Sequence, residues 1–173
     1  WGQAADMESP RQRHTATVLV DGRVLAVGGE GLSGQLAIAA ELYDPSTGTW
    51  RRTAGANLRR NIHTATLMAD GRVLVAGGEG RQGILASAEV YDPVTDSWSA
   101  TADLNDARAA HTASLLPDGR VMVAGGYDDR GELGSTELYD PATGSWSRGP
   151  LMKQGRMRHT VTALGDGRVL AVG

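Results

Sequence analysis

The chain has 173 residues, with 17 basic and 20 acidic side chains and a formal charge of −3 at pH 7, so it lacks the cationic surplus on which nucleic-acid binding rests. It contains no cysteine, which removes disulfides, thiol nucleophiles and cysteine-ligated metals from these residues. No apolar run is long enough to cross a bilayer as a helix.

The first residue opens a series. Trp1 is followed by Trp50, Trp98 and Trp146, at intervals of 49, 48 and 48 residues. A unit of this length cannot bury its apolar face alone and must stack on copies of itself. A histidine follows each tryptophan by 13 residues, at His14, His63, His111 and His159, and an arginine precedes each histidine by three, at Arg11, Arg60, Arg108 and Arg156. A first strand over His14 to Val20 and a second over Arg23 to Gly28 flank Asp21-Gly22, which predicts a two-residue hairpin turn of type I′. The same turn is expected at Asp70-Gly71, Asp118-Gly119 and Asp166-Gly167.

The second strand is apolar without alternation, which predicts cover on both faces. It ends in Gly28-Gly29, Gly77-Gly78 and Gly125-Gly126, where the missing Cβ atoms admit close neighbours; the tyrosines and tryptophans of the outer strands are the expected occupants. A third strand carries Glu-x-Tyr from Glu41, Glu89 and Glu137 and is stopped by Asp-Pro, since proline has no amide hydrogen for a ladder. Before each fourth, tryptophan-bearing strand stand Gly48, Asp96 and Gly144, residue types that accept a left-handed conformation.

The Gly-Gly, Tyr and Trp marks at fixed spacing resemble those of the kelch family of β-propellers, most closely bacterial kelch-like proteins and the central propeller of galactose-oxidase-like proteins. The resemblance covers essentially the whole chain. It implies an all-β propeller of four-stranded blades in a ring of six or seven, of which about three and a half are present. The expected organisation is one partial propeller domain, residues 1–173, in units near 2–50, 51–98, 99–146 and an incomplete 147–173. Further blades of the same propeller are expected to complete the ring; a second copy closing it as a two-fold dimer is the lesser expectation.

Residues one blade apart occupy equivalent places on different blades and do not converge on one ion, so the four histidines predict packing and hydrogen bonding rather than a metal site. The registered arginines and glutamates are expected to tie loop carbonyls and a carboxylate together. Arg51, Arg52, Arg59 and Arg60 form a local basic cluster, read as solvated or interblade arginines. The copper chemistry implied by the galactose-oxidase resemblance cannot be carried over, because its tyrosine crosslink needs a cysteine. No catalytic residue, metal or cofactor is expected within the chain.

Specificity is then expected where the units differ. Two loops per unit differ: Glu30 to Ile38, Glu79 to Ser87 and Tyr127 to Ser135 between the second and third strands, and Arg52 to Asn61, Thr101 to Ala107 and Gly149 to Met157 between blades. The family resemblance implies that both sets emerge on one face. Tyr127 is the aromatic outside the repeated pattern and opens Tyr127-Asp128-Asp129-Arg130. With Arg81, Gln82, Asn61, Lys153 and Arg158 these are the candidate binding residues. The expected function is non-catalytic binding of a protein or carbohydrate, with no nucleic acid and no membrane span, in an exported bacterial protein. The alternative is the propeller of a galactose-oxidase-like or sugar-modifying enzyme whose active-site residues lie outside the chain.

Overall fold

The computed structural model describes residues 4–37, 40–54 and 59–173; Trp1, Ile38 and residues 55–58 of the loops named above lie outside the described residues. Three four-stranded antiparallel sheets follow one another along the chain. The first contains β1 (Thr15–Val18), β2 (Val24–Val27), β3 (Glu41–Asp44) and β4 (Thr49–Arg52), in that spatial order. The second contains β5 (Thr64–Leu67), β6 (Val73–Ala76), β9 (Ala88–Asp92) and β10 (Ser97–Ala100), and between its middle strands runs a small extra hairpin of β7 (Glu79–Gly80) and β8 (Gly83–Ile84). The third repeats this plan with β11 (Thr112–Leu115), β12 (Val121–Ala124), the hairpin β13 (Tyr127–Asp128) and β14 (Gly131–Glu132), then β15 (Thr136–Asp140) and β16 (Ser145–Arg148). The strands β17 (Thr160–Ala163) and β18 (Val169–Val172) pair as a further hairpin.

Successive sheets meet along their first strands, β1 against β5, β5 against β11 and β11 against β17. These are blades arrayed about an axis lined by the first strands. All four residues of β6 and of β12 are buried, and the reason is the stacking. Val73 and Val75 pack with Leu25, Val27 and Leu42 of the preceding blade. Leu74 and Ala76 turn the other way and pack with Val121 and Val123 of the following one. A strand sandwiched between two blades has no solvent face, so its sequence shows no alternation.

The Asp-Gly connections differ from the expected type I′ geometry. Gly22 has φ of 86° while Asp21 is not among the residues with positive φ, and the Gly22 amide donates to the Leu19 carbonyl at 3.0 Å. Leu19 N–H in turn donates to Arg23 O at 2.8 Å. This is a type I turn across Val20 and Asp21 followed by a left-handed glycine, the three-residue hairpin with a bulge. Asp21 stays right-handed because its carboxylate accepts the Arg23 amide at 3.0 Å and the Arg23 Nε–H at 2.7 Å. In the third blade Pro117 stands second in the corresponding turn, between Leu116 and Asp118, a position its fixed φ suits. The left-handed residues expected before the tryptophan strands are present, with φ of 69° at Gly48, 51° at Asp96 and 65° at Gly144.

Candidate functional site

The register of the sheets decides which loops share a face. Thr15 is opposite Val27, Ala26 opposite Glu41 and Glu41 opposite Arg52, so the β2–β3 loop and the connection to the next blade leave from one end of the sheet. The Asp-Gly and Asp-Pro turns leave from the other. The first end is the loop face.

Beneath it lies a frame that uses up the repeated charged residues. Arg108, fully buried, donates through Nη1 to the carbonyls of Gly125 (2.8 Å) and Ser135 (3.1 Å), and through Nη2 to Ser135 Oγ (3.0 Å) and Glu137 (2.9 Å). Arg60 makes the same four bonds one blade earlier, to Gly77, both oxygens of Ser87 and Glu89. Glu137 also accepts the backbone amides of Asn105 (2.7 Å) and Asp106 (3.0 Å), and Glu41 accepts those of Glu8 and Ser9. Each Arg-Glu pair thus fastens the loop entering a blade to the start of that blade's third strand.

The histidines lock blade to blade. His63 Nε2 lies 2.9 Å from Thr15 Oγ1, His111 Nε2 2.9 Å from Thr64 Oγ1 and His159 Nε2 3.1 Å from Thr112 Oγ1. The same rings fill the space beside the first glycine of each pair: a Cβ on Gly77 would stand 2.5 Å from Arg108 O and 2.8 Å from His111 Cε1. The second glycine is covered by the blade's own histidine, with His63 Cβ 2.8 Å from the Cβ position of Gly78. The expectation that tyrosine and tryptophan occupy these gaps is therefore corrected. Those rings pair with each other instead, as Tyr91 with Trp98 and Tyr139 with Trp146 at centroid distances of 5.0 Å, because their cross-strand partnership on β9–β10 and β15–β16 holds them on the outer half of the blade. Burial, reinforced by the charge of the neighbouring arginine, lowers the pKa of His63 and of His111 to about 3, so both imidazoles are neutral.

At the mouth of the axis stands a column that varies from blade to blade: Arg13, Ile62, Ala110 and Arg158, all left-handed with φ between 50° and 56°. Their backbones form a chain of bonds around the axis, Ile62 N–H to Arg13 O, Ala110 N–H to Ile62 O and Arg158 N–H to Ala110 O, the last two at 3.0 Å. The neighbouring column, Gln12, Asn61 and Ala109, bridges to Glu30, Glu79 and Tyr127. Side chains at the mouth tie the blades together, Asn61 and Tyr127 reaching the preceding blade and Arg13 an acid of its own blade. Asn61 Nδ2 donates to Glu30 at 2.9 Å, Arg13 pairs with Glu30 at 3.1 Å, and the Tyr127 hydroxyl donates to Glu79. Burial and then the Glu79 carboxylate raise the pKa of that phenol.

The nine candidate binding residues all map to this face but separate into two groups. Asn61, Tyr127 and Arg158 gather at the mouth, Asn61 buried and Tyr127 half-buried. Arg81 and Gln82 form the exposed tip of the β7–β8 hairpin, and Asp129 with Arg130 that of β13–β14, where Asp128 caps the Arg130 amide at 2.7 Å. Lys153 is exposed on the connection following β16. The extra hairpins escaped the sequence reading because two-residue strands are too short to show a period. Arg59, set aside within the basic cluster, also reaches the face: with Glu30, Gln35, Asn61, Glu79 and Arg81 it lines a cleft of about 480 Å³. Its signal was present in the sequence, since it is the residue beside the frame arginine that no repeat rule demands.

Among the described residues no group of three or more His, Asp or Glu side chains is placed to hold a metal, and no helix is long and apolar enough to cross a membrane.

The family described as the KLHDC2/KLHL20/DRC7 Kelch-repeats domain matches residues 3–173. The F-box/kelch-repeat protein At1g67480 of Arabidopsis thaliana is 44% identical over 50 residues, which make up 29% of this chain and 13% of that protein. The similarity therefore spans a small part of the relative's length.

Proposed function

Because the chain belongs to the kelch-repeat family, with the match running over residues 3–173, we propose that it acts as a binding module that engages a partner protein through the loop face. One observation carries this reading: Arg60 and Arg108 are buried on Glu89 and Glu137, and His63 and His111 are buried on threonines of the preceding blade, while the residues that differ between blades end on a single surface. Arg81, Gln82, Asp129, Arg130, Lys153 and Arg158 are all exposed there. A surface of varied side chains on a fixed frame suits recognition, because little ordering entropy remains to be lost on binding.

The test is affinity capture with the intact protein, comparing a loop-face variant, Arg81→Ala with Arg130→Ala, against a turn-face variant, Arg120→Ala with Arg168→Ala. Loss of a specific protein partner in the first and its retention in the second is expected. Equal capture by both would move the site off the loop face. A glycan array on the same proteins addresses the carbohydrate reading, and specific glycan binding without protein capture would replace the proposal.

A further inference from the structure

The units also differ on the opposite face of the blades. In the Asp-Gly turns the place of Val20 is taken by Ala69, Pro117 and Gly165, and in the turns after Asp-Pro the place of Val94 is taken by Ser46 and Ala142. Val20 belongs to the first blade and Val94 to the second, and the packing of one blade on the next brings them to a single groove of about 610 Å³ with the buried Leu19 in its wall. Val20 is 80% exposed and Val94 91%. Val20 leans over the second blade's turn, its Cγ2 3.6 Å from the Cβ position of Gly71, and Arg23 crosses the same junction to donate to the Pro93 carbonyl at 3.3 Å. At the junction of the second and third blades the corresponding residues are Ala69 and Ala142, so the pairing of two exposed valines is particular to the first junction.

The charges of the groove do not balance. Of its three acids, Asp21 is paired with Arg23 and Asp70 with Arg72, each guanidinium 2.6 Å from its carboxylate. Asp92, two residues before Val94, accepts the Val94 amide at 2.8 Å and makes no ion pair among the described residues. Its field reaches Arg72, but that guanidinium is already held by Asp70. The groove therefore combines an uncovered aliphatic surface with one carboxylate that lacks a countercharge.

We propose that this groove is a second docking site, independent of the loop face, for a segment of a partner protein in which an aliphatic side chain adjoins a lysine or arginine. The aliphatic group lies between Val20 and Val94 and removes their apolar surface from water. The cation lies on Asp92 and supplies the missing countercharge, which fixes the direction in which the segment runs. A two-fold contact of this patch with itself would set one Asp92 near another, so the charge argues against a second copy of the chain as the occupant. The same carboxylate argues against an anionic lipid surface.

The test is selection of peptides from a random displayed library on the intact protein, after depletion on the Val20→Ser, Val94→Ser double variant, which removes peptides that bind elsewhere. Both valines are exposed, so the variant is expected to melt with the parent; Val94→Ser alone serves if the pair melts lower. Peptides that survive depletion are expected to carry an aliphatic residue beside Lys or Arg. In fluorescence anisotropy their affinity should fall about tenfold on the double substitution, as loss of apolar contact requires. It should fall about threefold on Asp92→Asn, which keeps the acceptor for the Val94 amide and removes only the charge. Arg81→Ala with Arg130→Ala on the loop face should leave it unchanged. No surviving peptide, or surviving peptides that lack a cation and are indifferent to Asp92→Asn, would overturn the proposal, while the peptides removed by depletion still report on the loop face. Dimerisation in analytical ultracentrifugation that the double variant abolishes would replace the partner by a second copy. Binding to vesicles of phosphatidylcholine and phosphatidylserine, lost in the same variant, would replace it by a membrane.

Discussion

Arg108 and Arg130 have the same side chain and opposite roles, and the difference lies in what surrounds each. Arg108 is fully enclosed and ion-paired with Glu137, so truncating it removes the countercharge of a buried carboxylate and the guanidinium donor of the Gly125 carbonyl. Arg108→Ala is expected to cost about 3–5 kcal/mol, the usual loss when one partner of a buried ion pair is removed. Arg130→Ala at an exposed hairpin tip is expected to stay within about 0.5 kcal/mol. Urea denaturation of the two variants checks both. His63 and His111 add a pH dependence of definite sign. Their imidazoles protonate near 6.5 when exposed by unfolding and only near 3 in the fold. Between those values the unfolded chain binds more protons, so the stability due to the neutral histidines is complete above pH 6.5 and is lost as the pH falls. The slope approaches about 1.4 kcal/mol per pH unit for each histidine. Denaturation midpoints should fall from pH 7 to pH 5, above the range where most carboxylates titrate, and less steeply in His111→Gln. A flat profile over that interval would contradict the assignment.

At the scale of turns and strands, two glycines of similar φ separate conformational strain from steric exclusion. Gly119 has φ of 85° and open space where a Cβ would point, whereas Gly77 has φ of 61° with Arg108 O and His111 Cε1 in the way at 2.5 and 2.8 Å. Gly119→Ala is expected to lose about 1–2 kcal/mol from the left-handed backbone alone, and Gly77→Ala clearly more, because the carbonyl it meets belongs to the next blade. Thermal melting of the two variants gives the comparison. The type I geometry of the Asp-Gly turns yields a stabilising prediction as well. Ala69 holds the place that Pro117 holds in the third blade, so Ala69→Pro should gain about 0.4–1 kcal/mol by restricting the unfolded chain; a loss would show that the second blade's turn differs from the third's. The Asp-Gly dipeptide revealed a hairpin but not its type. Both turn types accept that dipeptide, and the choice rests on the Asp21 carboxylate reaching Arg23, a contact two residues away that spacing does not encode.

Across the whole molecule, stability runs from blade to blade through nearest neighbours, since each first strand meets the first strand of the adjacent blade and β6 is packed between two sheets. Amide hydrogen exchange should accordingly be slowest at Val73–Ala76 and Val121–Ala124 and much faster in the hairpins Glu79–Ile84 and Tyr127–Glu132, which stand outside the blades. Uniform protection would show that those hairpins belong to the same cooperative unit as the blades. The sequence by itself determined the blade, its four strands, its stacking and the structural fate of nearly every repeated charge. It could do so because each unit restates the same local pattern, and a residue recurring once per blade serves a need that recurs once per blade. Only the tertiary structure decided that histidines rather than the aromatic rings fill the glycine gaps. It likewise showed that Tyr127 is tied to Glu79 and Asn61 to Glu30, and that Arg59 alone of its cluster is left to face a cleft. Those outcomes depend on side chains some 30 to 50 positions apart in different blades, and their meeting is fixed by the angle at which one sheet packs on the next.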